Sequence, residues 1–267
     1  MAKPALKTAD DTKIKTAKVT PINVKIAKSD TGIMTIPGVR TERFRTLLIG
    51  TSPLILHKFS EKLRKMILDK HMGEASAGKE AKNPHDNFMA SRYLLSDGSD
   101  GVPAAGLKAA FVAGFDKKSG VPMTKAKGAI RVVADDPATN LVRLIGPENP
   151  RAAERVGDPG AWPQMREDVV RNESGVVDIR HRPEFWPWAL AVEIEFLPSA
   201  CSMSQVLQAI AMAGFVEGLA EWRPGSKQSR SGSYGCWQLA TAAEVKAFEA
   251  GELFAVNGNG RRTRRAA

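Results

Sequence analysis

The clearest pattern along the chain is strict alternation. In "FWPWALAVEIEF" (Phe185–Phe196), Trp186, Trp188, Leu190, Val192, Ile194 and Phe196 share one face, which predicts a single strand. "RFRTLLIG" (Arg43–Gly50) alternates too, with Phe44, Thr46 and Leu48 opposite Arg43, Arg45, Leu47 and Ile49. "KAKGAIRVVAD" (Lys125–Asp135) reads as a further strand with Asn140–Ile145 as its partner, and "SYGCWQLA" as a final one. Between them the period changes to that of helices. After Ser60 as N-cap, "EKLRKMILDKH" sets Phe59, Leu63, Met66 and Ile67 in a stripe that ends at Gly73. "GVPAAGLKAAFVAGF" (Gly101–Phe115) carries Pro103 in its first turn and turns Leu107, Ala110, Phe111 and Phe115 inward. "CSMSQVLQAIAMAGF" opens on a Ser202/Gln205 capping box, follows Val206, Leu207 and Ile210, and ends at Gly214 as C-cap. "FVEGLAEW" reads as extended, and Thr241–Ala250 as a short helix.

With two long polar stretches set aside, this order approximates βαββαβ. It predicts an α+β fold of ferredoxin-like (RRM/RAMP-type) architecture, an antiparallel sheet with helices on one face and large insertions. The insertions are placed at 73–102 and 146–175, too long for simple connections. The domain spans 41–250, with a flexible basic arm at 1–40 and a basic tail at 251–267. One sheet face is left free, the face on which RNA-recognition modules stack bases.

Charge sharpens this picture. The net charge of +10 is concentrated at the ends: seven lysines against three aspartates in 1–30, and four arginines with no acid in 257–267. Basic arms attract polyanions without reading sequence. Cys201 and Cys236 have no metal-ligand spacing and are too few for a disulfide framework, which fits a reducing, cytoplasmic setting. No apolar run is long enough to span a membrane, and the lysine-rich start lacks the apolar core of a secretory signal.

Four cation clusters are candidate nucleic-acid contacts. "GLAEWRPGSKQSRSGSYGCW" (Gly218–Trp237) puts Arg223, Lys227 and Arg230 among glycines and serines that let backbone amides approach phosphates, and Trp222 and Tyr234 offer faces for bases. Trp237 is assigned to the core. "DKKSGVPMTKAKGAIR" contributes Lys117, Lys118, Lys125, Lys127 and Arg131, and Lys58, Lys62 and Lys65 form a third group. Arg180 and Arg182 precede Trp186 and Trp188, whose phase assigns those two indoles to the core or a subunit interface. No carboxylate pair, P-loop, GxSxG or Cys/His metal spacing is present, so no catalytic residue, metal or cofactor is expected. Among the four histidines, His57 is the one best placed to act as a general base.

Two segments resemble the RAMP superfamily, the ferredoxin-like proteins of CRISPR effector complexes. Gly101–Phe115 is similar to their Gly-hydrophobic-Pro segment and following helix. Phe185–Trp237 resembles the end of the guide-binding backbone subunits, where strand and helix precede a glycine-rich loop. Here that loop is Gly218, Glu221, Arg223, Gly232, Tyr234 and Gly235, with Ala220 where the pattern has a glycine. Related phage proteins are similar and coat single-stranded DNA. The resemblance implies a linear assembly along one strand.

The expected function is therefore sequence-independent, non-catalytic binding of single-stranded nucleic acid, DNA in preference to RNA, by a homo-oligomer or filament of phage type. The rivals are a guide-RNA-binding CRISPR subunit, a metal-independent endoribonuclease using His57, and a structural assembly protein whose basic arms merely interact with nucleic acid.

Overall fold

A computed structural model describes residues 27–28, 34–35, 38–59, 61–73, 83–115, 120–148, 150–171, 175, 177–226 and 232–255. The chain divides into two compact units, 1–40 and 41–267. In the first, β1 (Ala27–Lys28) pairs antiparallel with β2 (Met34–Thr35).

The second unit runs β3 (Glu42–Gly50), β4 (Leu54–Ile55), α1 (Glu61–His71), α2 (Pro84–Ala90), β5 (Gly101–Pro103), α3 (Ala104–Ala113), α4 (Met123–Ala129), β6 (Ile130–Val133) and β7 (Leu141–Ile145). It continues through β8 (Gln164–Arg171), β9 (Val177–Phe185), β10 (Ala189–Phe196), α5 (Met203–Val216), β11 (Trp237–Leu239) and α6 (Ala242–Glu249). The main sheet has the order β11-β3-β10-β7-β5, with β6 also pairing β10. Every pairing in it is antiparallel. Counting β6 and β7 as two halves of one strand position, the order is fourth–first–third–second, the ferredoxin-like arrangement expected.

The core lies between this sheet and α3 and α5. Leu190, Val192, Ile194 and Phe196 of β10 are buried with Leu107, Phe111, Val206 and Ile210. Trp237 closes the core, its ring edge-on to Phe111 at 6.0 Å between centroids. The Ser202/Gln205 capping box forms as expected.

The structure corrects several expectations. Lys125–Ala129 is helical: Pro122 precedes α4, and Ala126 and Ala129 bury its inner side. The stretch read as its partner pairs β10 and β5 instead. The run Phe185–Phe196 breaks at Trp186–Trp188 into β9 and β10, with Trp188 in the core and Trp186 half-buried. Residues 146–175 include β8, which forms a hairpin with β9 and, with β4, a second sheet of order β4-β9-β8. Residues 73–102 include α2, capped by the Asn83 side chain, and the start of β5. The expected stripe of α1 is open to solvent at Phe59, Met66 and Ile67; the Ser60 cap and the Leu63 side chain lie outside the described residues.

At the end of α5, Gly214 is not the cap: the helix continues to Val216, and Gly214 is the point of contact with β11. A Cβ there would run into the Trp237 carbonyl. Residues 217–222 turn rather than extend.

The outer sheet face is not the open stacking platform expected. Half of it, at Leu47, Ala189 and Ala191, is covered by Val245 and Phe248 of α6 and by Leu253 and Phe254 beyond it. The other half carries charges in register. Arg45 stands opposite Glu193, and Glu195 lies between Arg43 and Arg131. Arg43 bonds both glutamates, at 3.3 and 3.4 Å.

Candidate functional site

The loop joining α5 to β11 is built on alternating backbone handedness. Gly218, Ala220 and Trp222 adopt φ of +66°, +64° and +52°, in the left-handed region; Leu219 and Glu221 do not. Leu219 N donates to Gly235 O at 3.0 Å across the loop, and Glu221 N to Ile55 O at 3.1 Å and Gly235 N to Pro53 O at 2.8 Å tie the loop to β4 and to the β3–β4 connection. A Cβ at Gly235 or Gly232 would collide with the Leu219 or Trp222 backbone, so these two glycines are required by close approach. Ala220, at the position where the resembled pattern has glycine, is strained by its own Cβ.

The loop aromatics rest on arginines. Arg166 and Arg182 stand directly opposite each other on β8 and β9. Arg182 lies 4.7 Å from the centre of the Trp222 ring, and Arg166 lies 5.1 Å from both Trp222 and Tyr234. Two cations side by side repel; here carboxylates surround them. Asp168 Oδ2 accepts from Arg182 Nη2 at 2.6 Å, Asp168 Oδ1 from Arg166 Nε at 2.8 Å, and Glu221 Oε2 from Arg182 Nη1 at 3.2 Å. Burial works against the charge of Arg166, but hydrogen bonds to Glu184 and Asp168 outweigh it and raise its pKa further.

On the other side of Glu221 lies a cavity of about 260 Å³. Its floor is apolar: Leu56, Val102, Ala110 and Leu219. Its polar wall is made by His57, Tyr93, Glu217, Glu221 and Arg223, brought together from three distant stretches of chain. Arg223 Nε donates to Glu217 Oε1 at 3.2 Å. Burial lowers the pKa of His57; Arg180 and Arg182 lower it further, and Glu221 opposes them. Burial raises the pKa of Tyr93, with Glu221 adding to it, so the phenol stays protonated. Among the described residues no cluster of His, Cys, Asp or Glu could hold a metal, and both cysteines are free.

The residues singled out in the sequence are scattered across this geometry. Lys125 and Lys127 are exposed on α4, and Arg131, at the start of β6, is 76% exposed with Glu195 3.7 Å away. Lys65 is exposed on α1, while Lys58 and Arg180 are half-buried. Arg182 is a correction: it is fully buried and its guanidinium is engaged by Asp168 and Glu221, so it offers nothing to a phosphate. Trp222 and Tyr234 are half-buried and carry arginine against their rings. Arg223 faces the cavity, paired with Glu217. Lys117, Lys118, Lys227, Arg230 and the Lys62 side chain lie outside the described residues. Sequence reasoning missed Arg166, Asp168 and Tyr93. The first two were signalled by the charged alternation Arg166–Asp168 facing Arg180–Arg182–Glu184; Tyr93 had no such signal.

No family model and no curated protein matches the chain. Among solved structures, it is similar to Cmr6 from Pyrococcus furiosus, at 9% identity and a TM-score of 0.32, over 76% of this chain and 100% of that one. The ferredoxin-like assignment rests on strand order, not on this likeness. No helix among the described residues is long and apolar enough to cross a membrane.

Proposed function

We propose that the protein binds single-stranded nucleic acid without sequence preference along the backbone, coating the strand as a multimer, with DNA preferred over RNA. The observation that carries this reading is the cation group at α4 and β6. Lys125, Lys127 and Arg131 are exposed within seven residues, α4 contains no acid, and among the described residues only Arg131 of the three has an acidic partner, at 3.7 Å. The two ends of the sequence carry further cations, seven lysines in 1–30 and four arginines in 257–267, which favour polyanions in general. Each phosphate neutralised on a single strand contributes about 0.7 to the slope of log K against log salt. Replacing Lys125, Lys127 and Arg131 by alanine is therefore expected to lower that slope for oligo-dT by about 2. An unchanged slope and affinity would remove this surface from the interface. Competition among equal-length single-stranded DNA, duplex DNA and RNA separates the DNA reading from a guide-RNA-binding one, because only RNA offers the 2′-hydroxyl.

One observation favours a second reading. His57 and Tyr93 share the cavity wall, a pairing suited to proton transfer at an RNA 2′-hydroxyl. The proposal of a non-catalytic binder expects intact RNA with wild type and His57→Ala alike in the presence of a chelator. Cleavage by wild type that is lost in His57→Ala replaces it with an endoribonuclease.

A further inference from the structure

The cavity between α3 and the 217–223 turn has the chemistry of a seat for one unstacked nucleobase, and we infer that it takes guanine. This inference rests on the nucleic-acid reading and adds a base-specific contact to it. At about 260 Å³ the cavity falls just below the roughly 300–1,000 Å³ typical of drug-sized ligands, which suits a single ring system. Its floor of Leu56, Val102 and Ala110 is apolar and buried, as the face of a base requires.

The polar wall decides which base. Glu221 is not a loose surface acid. Its Oε2 is held by Arg182, which is held by Asp168, and its backbone N–H is bound to Ile55 O. Its Oε1 has no partner among the described residues, so an oriented acceptor remains. Guanine presents two adjacent donors, N1–H and N2–H, to a carboxylate, and charge-assisted pairs of this kind are the strong ones. Adenine and cytosine place a ring acceptor beside their amino group, and thymine flanks its one N–H with two carbonyls, so each sets an oxygen or a lone pair against the carboxylate. Tyr93 remains a phenol and supplies a donor for the acceptors on the other side of guanine. A phosphate is disfavoured here: Glu217 and Glu221 line the wall, and Arg223, the one arginine among the described residues that lines it, is already paired with Glu217.

The test uses the full chain and labelled oligo-dT whose central residue is dG, inosine, dA or an abasic site. The dG strand is expected to bind about tenfold tighter than the abasic one, the size of a charge-assisted contact. Inosine, which lacks the N2 amine, should lose a large part of that gain. Glu221→Gln should abolish the dG preference. Because that change also touches Arg182, Gly106→Leu is the second variant. Gly106 is exposed on α3 and lines the cavity, and the nearest atom to a Cβ there is Leu219 Cδ1 at 4.0 Å, so a side chain can start there without a clash, and a leucine is chosen to obstruct the cavity. It should erase the dG preference and leave the salt dependence of plain oligo-dT binding intact. Equal affinity for dG and abasic strands, with oligo-dT still bound, overturns the seat and leaves the nucleic-acid reading standing. Saturable binding of guanosine by calorimetry without any strand binding supports the seat and overturns the strand-coating function. If N-acetylarginine amide saturates the cavity and guanosine does not, the seat is for a peptide guanidinium and the inference fails.

Discussion

Arg182 donates from Nη2 to Asp168 Oδ2 at 2.6 Å, and both side chains are shut off from solvent. This pair sits where the β8–β9 hairpin, the 220–222 turn and the cavity wall meet. A buried charge is costly unless paired, and removing one partner leaves the other uncompensated. Asp168→Ala is therefore expected to destabilise the protein by about 3–5 kcal/mol, read as a lower urea midpoint. Glu221→Gln should cost clearly less, since the Glu221 side chain is 37% exposed. Equal losses would mean that burial does not set the value of these partners.

Ala220 gives a prediction of the opposite sign. A left-handed residue with a Cβ costs about 1–2 kcal/mol, which glycine avoids. Glycine also loses more chain entropy on folding, about 0.5–1 kcal/mol. Ala220→Gly is therefore expected to raise stability by roughly 0.5–1 kcal/mol, visible as a higher thermal midpoint with an unchanged denaturant slope.

At Gly214 helix propensity and packing disagree. Alanine is the better helix former by about 0.5–1 kcal/mol, but overpacking a close contact costs about 1–3 kcal/mol. The contact at Gly214 is the Trp237 backbone, which cannot swing aside as a side chain can. Gly214→Ala is expected to be net destabilising by about 1–2 kcal/mol, with near-ultraviolet dichroism reporting the shifted Trp237. A stabilised variant would show that α5 and β11 can slide apart freely.

His57 makes stability depend on pH. Its folded-state pKa is held below the ordinary value of about 6.5, chiefly by burial. The unfolded chain takes up the proton first, so this contribution is present above pH 6.5 and is lost as pH falls through the folded pKa. Unfolding free energies of wild type measured from pH 7.5 down to 5 should fall more steeply than those of His57→Gln. Parallel curves would mean that His57 titrates as freely in the fold as in the open chain.

How much of this was legible depended on side-chain size and on distance along the chain. β10 was legible because large apolar residues recur at every second position. The same regularity hid the break before it, since Trp186 and Trp188 kept the phase through a turn. α4 was hidden for the opposite reason: Ala126 and Ala129 bury its inner side with so little apolar bulk that Lys125–Ala129 read as part of a strand. The Arg182 pairing joins residues 14 and 39 positions apart, and local spacing carries no trace of such a contact. The glycine pattern around 218–235 did mark the loop correctly, because tight backbone approach leaves its signature in residue type. The cavity draws its wall from residues 57, 93 and 217–223, so only the folded chain assembles it.

The closing of the outer sheet face by α6, Leu253 and Phe254 has a practical side. α3, with the cavity mouth at Gly106, packs on one side of the main sheet, and Ala255 follows a segment packed on the other. A probe or tether attached at Ala255 is thus separated from the cavity by the thickness of the sheet and the core. Immobilising the protein through that point leaves the cavity face turned toward the liquid, which makes Ala255 a natural handle for surface-based titrations of strands and nucleosides.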